Sequence, residues 1–177
     1  GSNKVVGSNL LADISEAAPT EYDGYFKALE NSPFNVRFQY VPFEISRGCY
    51  WMYKSKCTFC GIADDFPFRM QHPNSALKEI DDLIGSTKCN HFVCVESATP
   101  KSHIHKFLTQ LSNLLKTKAP ERDFSFFFEV RVDITREDVL NFAELGKVVL
   151  QPGIESLSTP MLKHMRKGTT ALQNVQL

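Results

Sequence analysis

The chain has 177 residues, of which 42% are hydrophobic, and its 20 Lys and Arg are balanced by 20 Asp and Glu. This composition is typical of a folded domain large enough to bury a core, rather than of a disordered chain. A formal net charge of zero argues against binding to nucleic acid or to an anionic membrane surface, since neither would attract the chain. No apolar run approaches the roughly 20 residues that span a bilayer.

The five cysteines are odd in number and unevenly spaced, which does not suit a disulfide framework. Cys49, Cys57 and Cys60 are close together in the sequence, whereas Cys89 and Cys94 stand apart from them. We therefore expect free thiols and a reducing, cytoplasmic location. We expect the two isolated cysteines to be small buried side chains, so the clustered three need a different explanation.

Two regions follow each other along the chain. Residues 1–40 form a predicted N-terminal lead-in segment, irregular apart from one short helix near residues 22–29. From residue 41 onward, strand and helix patterns alternate, and the predicted strands are residues 41–46, 91–95, 124–130 and 147–151. The third of these is so continuously apolar that we expect it to be covered on both faces.

The helix predicted from about residue 100 has the clearest amphipathic stripe, formed by Ile104, Phe107, Leu108, Leu111, Leu114 and Leu115. Thr135 and Asp138 resemble a capping box for a later helix, and a short helix is predicted to open at Ser158 and to be closed by Gly168, before another helix starts near Leu177. Strands that alternate with helices predict an α/β fold with a parallel sheet. Such a sheet should not end on an exposed apolar edge, so we expect the chain to be part of a longer polypeptide.

The clustered cysteines lie in the loop after the first predicted strand, at the end where α/β sheets bind ligands. Three thiolates without a fourth cysteine nearby suit an iron–sulfur cluster with one open iron, whereas a structural zinc site takes four ligands. Zinc stays open as an alternative, because Cys57 and Cys60 have the spacing of a common zinc half-site that His72 or His91 could complete.

The Ser-Arg-Gly-Cys sequence that ends at Cys49, with the Cys-Thr-Phe-Cys-Gly sequence that begins at Cys57, resembles the cluster loop of radical S-adenosylmethionine (SAM) enzymes. The seven-residue gap between Cys49 and Cys57, where most of that superfamily has three residues, is similar to a narrower group. That group comprises cobalamin-dependent C-methyltransferases that mature ribosomally made peptides (RiPPs). Residues 19–26, 151–157 and 165–170 match it too, so the resemblance covers about Pro19 to Leu177.

The resemblance implies that residues 41–177 are the N-terminal part of a (β/α) radical SAM barrel with parallel strands. It implies a [4Fe–4S] cluster on Cys49, Cys57 and Cys60, which binds SAM and cleaves it reductively to methionine and a 5′-deoxyadenosyl radical. The expected reaction is C-methylation of a precursor peptide, with flavodoxin or ferredoxin as electron donor and cobalamin on a domain that this chain does not contain. Methylthiolation, epimerisation and a non-catalytic zinc-stabilised module stay open as alternatives.

The resemblance also implies a set of contacts to SAM. Phe59 would lie near the adenine, unless it is a plain core residue. Glu96 and Ser97, at the end of the second predicted strand, would meet the amino group of SAM, unless Glu96 is an exposed strand-end carboxylate.

Three further contacts are implied on the last two predicted strands and beyond. Glu129 would hold the ribose hydroxyls, unless it forms a structural ion pair with Arg131, which points the same way along the strand. Glu155 matches a SAM-contacting position of related enzymes. Lys167 would pair with the SAM carboxylate, unless it is a solvated lysine at the end of a helix.

Overall fold

The computed structural model describes residues 13–17, 20–34, 40–61 and 67–177. Pro19, where the matched lead-in motif begins, lies outside them. In chain order the elements are α1 (Asp23–Glu30), β1 (Val41–Phe43), β2 (Ser46–Arg47), β3 (Arg69–Met70), α2 (Pro73–Ser86), β4 (His91–Cys94), α3 (Lys101–Lys118), β5 (Ser125–Val130), α4 (Arg136–Ala143), β6 (Lys147–Pro152), α5 (Thr159–His164) and α6 (Ala171–Gln176). Two 3₁₀ turns, Ile14–Glu16 and Tyr50–Tyr53, complete the described elements.

Four strands form one sheet in the order β1-β4-β5-β6, and all three neighbouring pairs are parallel. Pro42 lies in β1, at the edge of the sheet, where a strand residue without an N–H is tolerated. Since parallel neighbours point the same way, the loops after all four strands leave from one edge of the sheet. That edge positions the cysteine loop and every other candidate site residue.

The core lies between the sheet and helices α2, α3 and α4, and it is rich in phenylalanine. Its largest fully buried side chains include Phe92, Phe107, Phe126, Phe128 and Phe142. The rings of Phe92 and Phe126 stack across β4 and β5 with centroids 5.4 Å apart. The amphipathic stripe predicted for α3 is buried as expected at Ile104, Phe107, Leu108, Leu111 and Leu115.

Local signals in the sequence account for several helix starts. Thr135 and Asp138 form the predicted capping box at the start of α4. Ser158 caps α5 by accepting from the backbone N–H of Met161. At α6, Thr170 and Gln173 form a second capping box.

Three element predictions need correction. The strand predicted over residues 41–46 ends at Phe43, because Ser46 and Arg47 turn away to pair antiparallel with Met70 and Arg69. The helix predicted from Ser158 ends at His164, before Gly168 is reached. On β5 the pattern alternates, with Phe126 and Phe128 buried but Phe127 and Glu129 half-buried, so the described residues cover only one face fully.

Two further expectations concern the isolated cysteines and the membrane. Cys89 and Cys94 are both buried, as predicted. Across the described ranges, none of the helices is long and apolar enough to cross a bilayer.

Candidate functional site

The cysteine loop begins on the small β2–β3 ribbon and crosses the edge of the sheet at which the parallel strands end. Gly48 starts the loop with a φ of +85°, a backbone conformation that residues with a side chain rarely adopt. The Tyr50–Tyr53 turn follows Cys49 directly. The loop then lies along the turn after α5, where the backbone N–H of Thr58 donates to the carbonyl of Met165 at 3.1 Å.

All three cysteines of the loop are half-buried free thiols. Cys57 Sγ lies 3.9 Å from the carbonyl oxygen of Arg166. Burial raises the pKa of the Cys57 thiol, and the nearby positive charges of Lys167 and Arg131 oppose that rise. The same cations would stabilise thiolate ligands, so the donor set suits a thiolate-bound metal group in kind.

The geometry of a closed metal site is not formed by these residues alone. Across the described part of the chain, no three His, Cys, Asp or Glu side chains are grouped so that they could hold a metal ion. The histidines considered for zinc have other contacts: His72 Nδ1 accepts from the backbone N–H of Asn74, and His91 Nδ1 is 2.5 Å from Ser125 Oγ. Metal binding by Cys49, Cys57 and Cys60 therefore stays a prediction.

Glu96 is buried directly after β4, with 3% of its surface exposed, so the alternative of an exposed strand-end carboxylate is wrong. Its Oε2 accepts from Ser46 Oγ at 2.6 Å, whereas Oε1 has no hydrogen-bond partner among the described residues. Burial raises the pKa of this carboxyl group, against the lowering effect of the Ser46 hydrogen bond. Ser97 is half-buried and, with Glu96 and Gly48, lines a cavity of about 260 Å³.

Glu129 and Arg131 do not form the ion pair that was one of the alternatives. Arg131 is buried; its Nη2 donates to the carbonyl of Lys167 at 2.9 Å, and its Nε lies 3.4 Å from Asp133 Oδ1. Glu129 is half-buried on the same face of β5 as Phe127, next to Gln151 of β6, and its side chain has no ion pair among the described residues. The two residues therefore belong to different surroundings.

Glu155, Lys167 and Phe59 come together at the end of β6. Lys167 is 9% exposed, and its Nζ lies 2.9 Å from Glu155 Oε1 and 5.6 Å from the centre of the Phe59 ring. The alternative of a solvated Lys167 is therefore wrong. The alternative of a core Phe59 is also wrong, because 48% of Phe59 is exposed. Glu155 has a φ of +58°, which is uncommon for a residue with a side chain.

Trp51 and Asn174 contribute to the site, and the sequence reasoning did not select them. The indole of Trp51 lies under the Arg131 guanidinium, with 3.9 Å between Cζ and the ring centre. Asn174 Nδ2 donates at 2.7 Å to the carbonyls of Ile154 and Ser156, on either side of Glu155. A tryptophan two residues after Cys49, a predicted ligand, was the available signal for Trp51, whereas no local signal marks Asn174.

Comparisons with known proteins identify the architecture. No family model matches the chain, and no curated protein matches it. Among solved structures, it is similar to OxsB, a cobalamin-dependent S-adenosylmethionine radical enzyme, with a TM-score of 0.59 and 24% identity over 76% of this chain and 21% of that one. It is also similar to the radical SAM methyltransferase TsrM from Kitasatospora setae, solved with tryptophan substrate and the SAM analogue aza-SAM, with a TM-score of 0.55 and 14% identity over 74% and 25% of the two chains.

The chain therefore shares its fold with part of each of these two proteins. This confirms the predicted α/β architecture with parallel strands. The chain spans about a fifth to a quarter of the length of these two proteins.

Proposed function

We propose that the chain is the SAM-cleaving part of a radical SAM enzyme that C-methylates a ribosomally made precursor peptide. The observation that carries the proposal is the position of Cys49, Cys57 and Cys60 in one loop at the carboxyl ends of a radical SAM-like parallel sheet. OxsB is cobalamin-dependent and TsrM is a methyltransferase, which supports methyl transfer with cobalamin bound outside this chain.

The three cysteine thiolates would hold a [4Fe–4S] cluster with one open iron. When bound, the reduced cluster supplies the one electron that cleaves SAM to methionine and a 5′-deoxyadenosyl radical. The chain contributes charge to this loop, since the Lys167 and Arg131 cations oppose the rise that burial causes in the pKa of the Cys57 thiol. They therefore favour the deprotonated form that binds metal.

The remaining groups would bind and orient SAM. Glu96 Oε1, buried and unpartnered among the described residues, is free to accept a hydrogen bond from the SAM amino group beside Ser97. Lys167 would turn its ammonium from Glu155 toward the SAM carboxylate. Phe59 presents an exposed ring on which the adenine would stack, and Glu129 would accept from the ribose hydroxyls.

Basic residues around the cysteine loop support an acidic electron donor such as flavodoxin or ferredoxin. Residues 46–61 and 158–171 contain no Asp or Glu. Lys54, Lys163 and Arg166 are exposed there, and in the described ranges none of the three forms a salt bridge. A positive surface attracts a negative partner and makes their association sensitive to ionic strength.

The test is anaerobic reconstitution of the chain with iron and sulfide, followed by electron paramagnetic resonance (EPR) of the reduced protein with and without SAM. We expect a cluster signal that shifts on adding SAM. Cys57→Ala should abolish the signal, whereas the matched Cys94→Ala variant, which removes a buried thiol outside the loop, should keep it. A colourless protein that binds one zinc ion would overturn the proposal in favour of a structural zinc module.

A further inference from the structure

Trp51 links the cysteine loop to the carboxyl end of β5 and to the turn after α5. It belongs to the Tyr50–Tyr53 turn, which occupies the first half of the seven-residue gap between Cys49 and Cys57. Its indole Nε1 donates to the carbonyl of Arg166 at 3.3 Å. The residues in this unusually long gap therefore place one aromatic side chain against the carboxyl end of β5, about 80 residues later in the chain.

Arg131 completes the contact from the other side. Its guanidinium lies 3.9 Å above the indole centre, and its Nη2 donates to the carbonyl of Lys167 at 2.9 Å. Arginine can do both at once, because its planar group stacks on an aromatic ring while its N–H groups donate in the plane. The contact is partly shielded from water, since only 5% of Arg131 is exposed and Trp51 is half-buried, and such shielding strengthens a cation–π interaction.

Gly168 provides the space for the indole. A Cβ at this position would lie 2.0 Å from Trp51 Cζ2 and 2.5 Å from Cη2. The φ of Gly168 is +74°, which also favours glycine. Cys57, Trp51 and Arg131 thus all meet the same short backbone segment, residues 166–168.

We propose that Trp51 and Arg131 are positioning residues, whose stack against Gly168 fixes the cysteine loop at the end of the sheet. This inference rests on the proposed function only for its consequence, which is the position of the cluster. The docking of the cysteine loop, by which we mean the packing of Trp51 against Arg131 and Gly168, is a property of the apoprotein. Neither side chain is required to contact SAM. The seven-residue gap is then the length that allows the loop to be anchored by an aromatic residue of its own.

Trp51 is the only tryptophan of the chain, so its fluorescence reports on the loop directly. We would measure acrylamide quenching and the emission maximum on the apoprotein of the full chain, as wild type and as the Arg131→Met variant. Methionine keeps an unbranched apolar side chain but removes the cation. We expect the ratio of docked to undocked loop to fall about three- to thirtyfold, the equivalent of a buried cation–π contact. Quenching then becomes stronger and the emission moves to longer wavelength.

Arg122→Met is the matched control. Arg122 also stacks on an aromatic ring, 4.9 Å from the centre of Phe124, but at the opposite end of β5. It donates to the carbonyls of Ile84 and Cys89, so its loss destabilises the fold without touching the loop. We expect this variant to melt at a lower temperature with Trp51 quenching unchanged below the transition. Equal quenching in wild type and Arg131→Met, or an equal rise in both variants, would overturn the proposal.

The reconstituted protein separates this inference from the proposed function. In Arg131→Met and Trp51→Leu we expect a shifted cluster midpoint potential and a weaker response of the EPR signal to SAM, with Trp51→Phe restoring most of both. If the wild type takes up no cluster while the quenching result holds, the proposed function fails and the docking stands. If the wild type shows the SAM-dependent signal and Arg131→Met shows the same potential and signal, the positioning role is refuted.

Discussion

Substitution of Gly168 by alanine tests how tightly the cysteine loop packs on the turn after α5. Two costs combine at this position. A φ of +74° costs a residue with a side chain about 1–2 kcal/mol. The new Cβ, 2.0 Å from Trp51 Cζ2, adds overpacking of about 1–3 kcal/mol. We therefore expect Gly168→Ala to lower the free energy of unfolding by about 2–5 kcal/mol.

Urea unfolding followed by circular dichroism measures this loss without relying on the fluorescence of Trp51. Gly146→Ala is a matched control, because Gly146 has a φ of +100° but its Cβ would meet only the carbonyl oxygen of Phe124, at 3.3 Å. We expect the control to lose chiefly the backbone term, about 1–2 kcal/mol.

A double-mutant cycle isolates the clash with the indole. In a Trp51→Ala background the space beside Gly168 is empty, so Gly168→Ala should cost only the backbone term. The reasoning is refuted if Gly168→Ala costs no more than Gly146→Ala, or if its cost is the same with and without the indole.

Three other substitutions test separate parts of the site and fold. Asn174→Ala removes two 2.7 Å hydrogen bonds to carbonyls and should lower the free energy of unfolding in urea by about 1–3 kcal/mol. Asn174→Asp keeps the shape of the side chain but cannot donate, so it should be no more stable than Asn174→Ala. The folded state raises the pKa of Glu96 above its ordinary value of 4.5, so the stability that it contributes is complete below that value and falls as pH rises through the folded pKa. Thermal melting should therefore depend less on pH in Glu96→Gln, and an unchanged profile would contradict the assignment. Thr135→Ala removes the cap of α4 and should cost about 0.5–2 kcal/mol by urea unfolding, with no effect on EPR signals.

The sequence predicted the parallel sheet because local signals were strong where they mattered. The stripe of α3 has the period of a helix, and Thr135 with Asp138 forms the capping box that their spacing suggested. The apolar run of β5 was long enough to predict a strand, although not that one of its faces is only half-buried. The error at residues 41–46 has a physical cause. The predicted strand continued to Ser46, but Ser46 and Arg47 pair with only two residues of β3, and so short a pairing leaves no pattern that a sequence can show.

The site was predicted less completely, because burial depends on partners that are distant in the chain. A lysine near a helix end is ordinarily solvated, yet Lys167 is buried by Glu155 and by the cysteine loop, neither of which belongs to its helix. Glu96 is buried beside Ser46, 50 residues earlier in the chain, which donates a hydrogen bond to it. The stack of Trp51 on Arg131 likewise has no local pattern.

The turn at residues 165–168 explains why the two halves of the candidate site depend on each other. Its backbone carbonyls accept hydrogen bonds from Thr58, Trp51 and Arg131. One of its own side chains, that of Lys167, forms an ion pair with Glu155 after β6. Glu155 is held in its uncommon conformation by Asn174 on α6. A displacement of this turn would therefore move the Cys57 thiol and the Lys167 ammonium together, whereas Glu96 and Ser46 are bonded to each other outside the turn. Variants in the turn should accordingly change cluster and SAM properties in parallel, and Glu96 variants should change the response to SAM while cluster content stays constant.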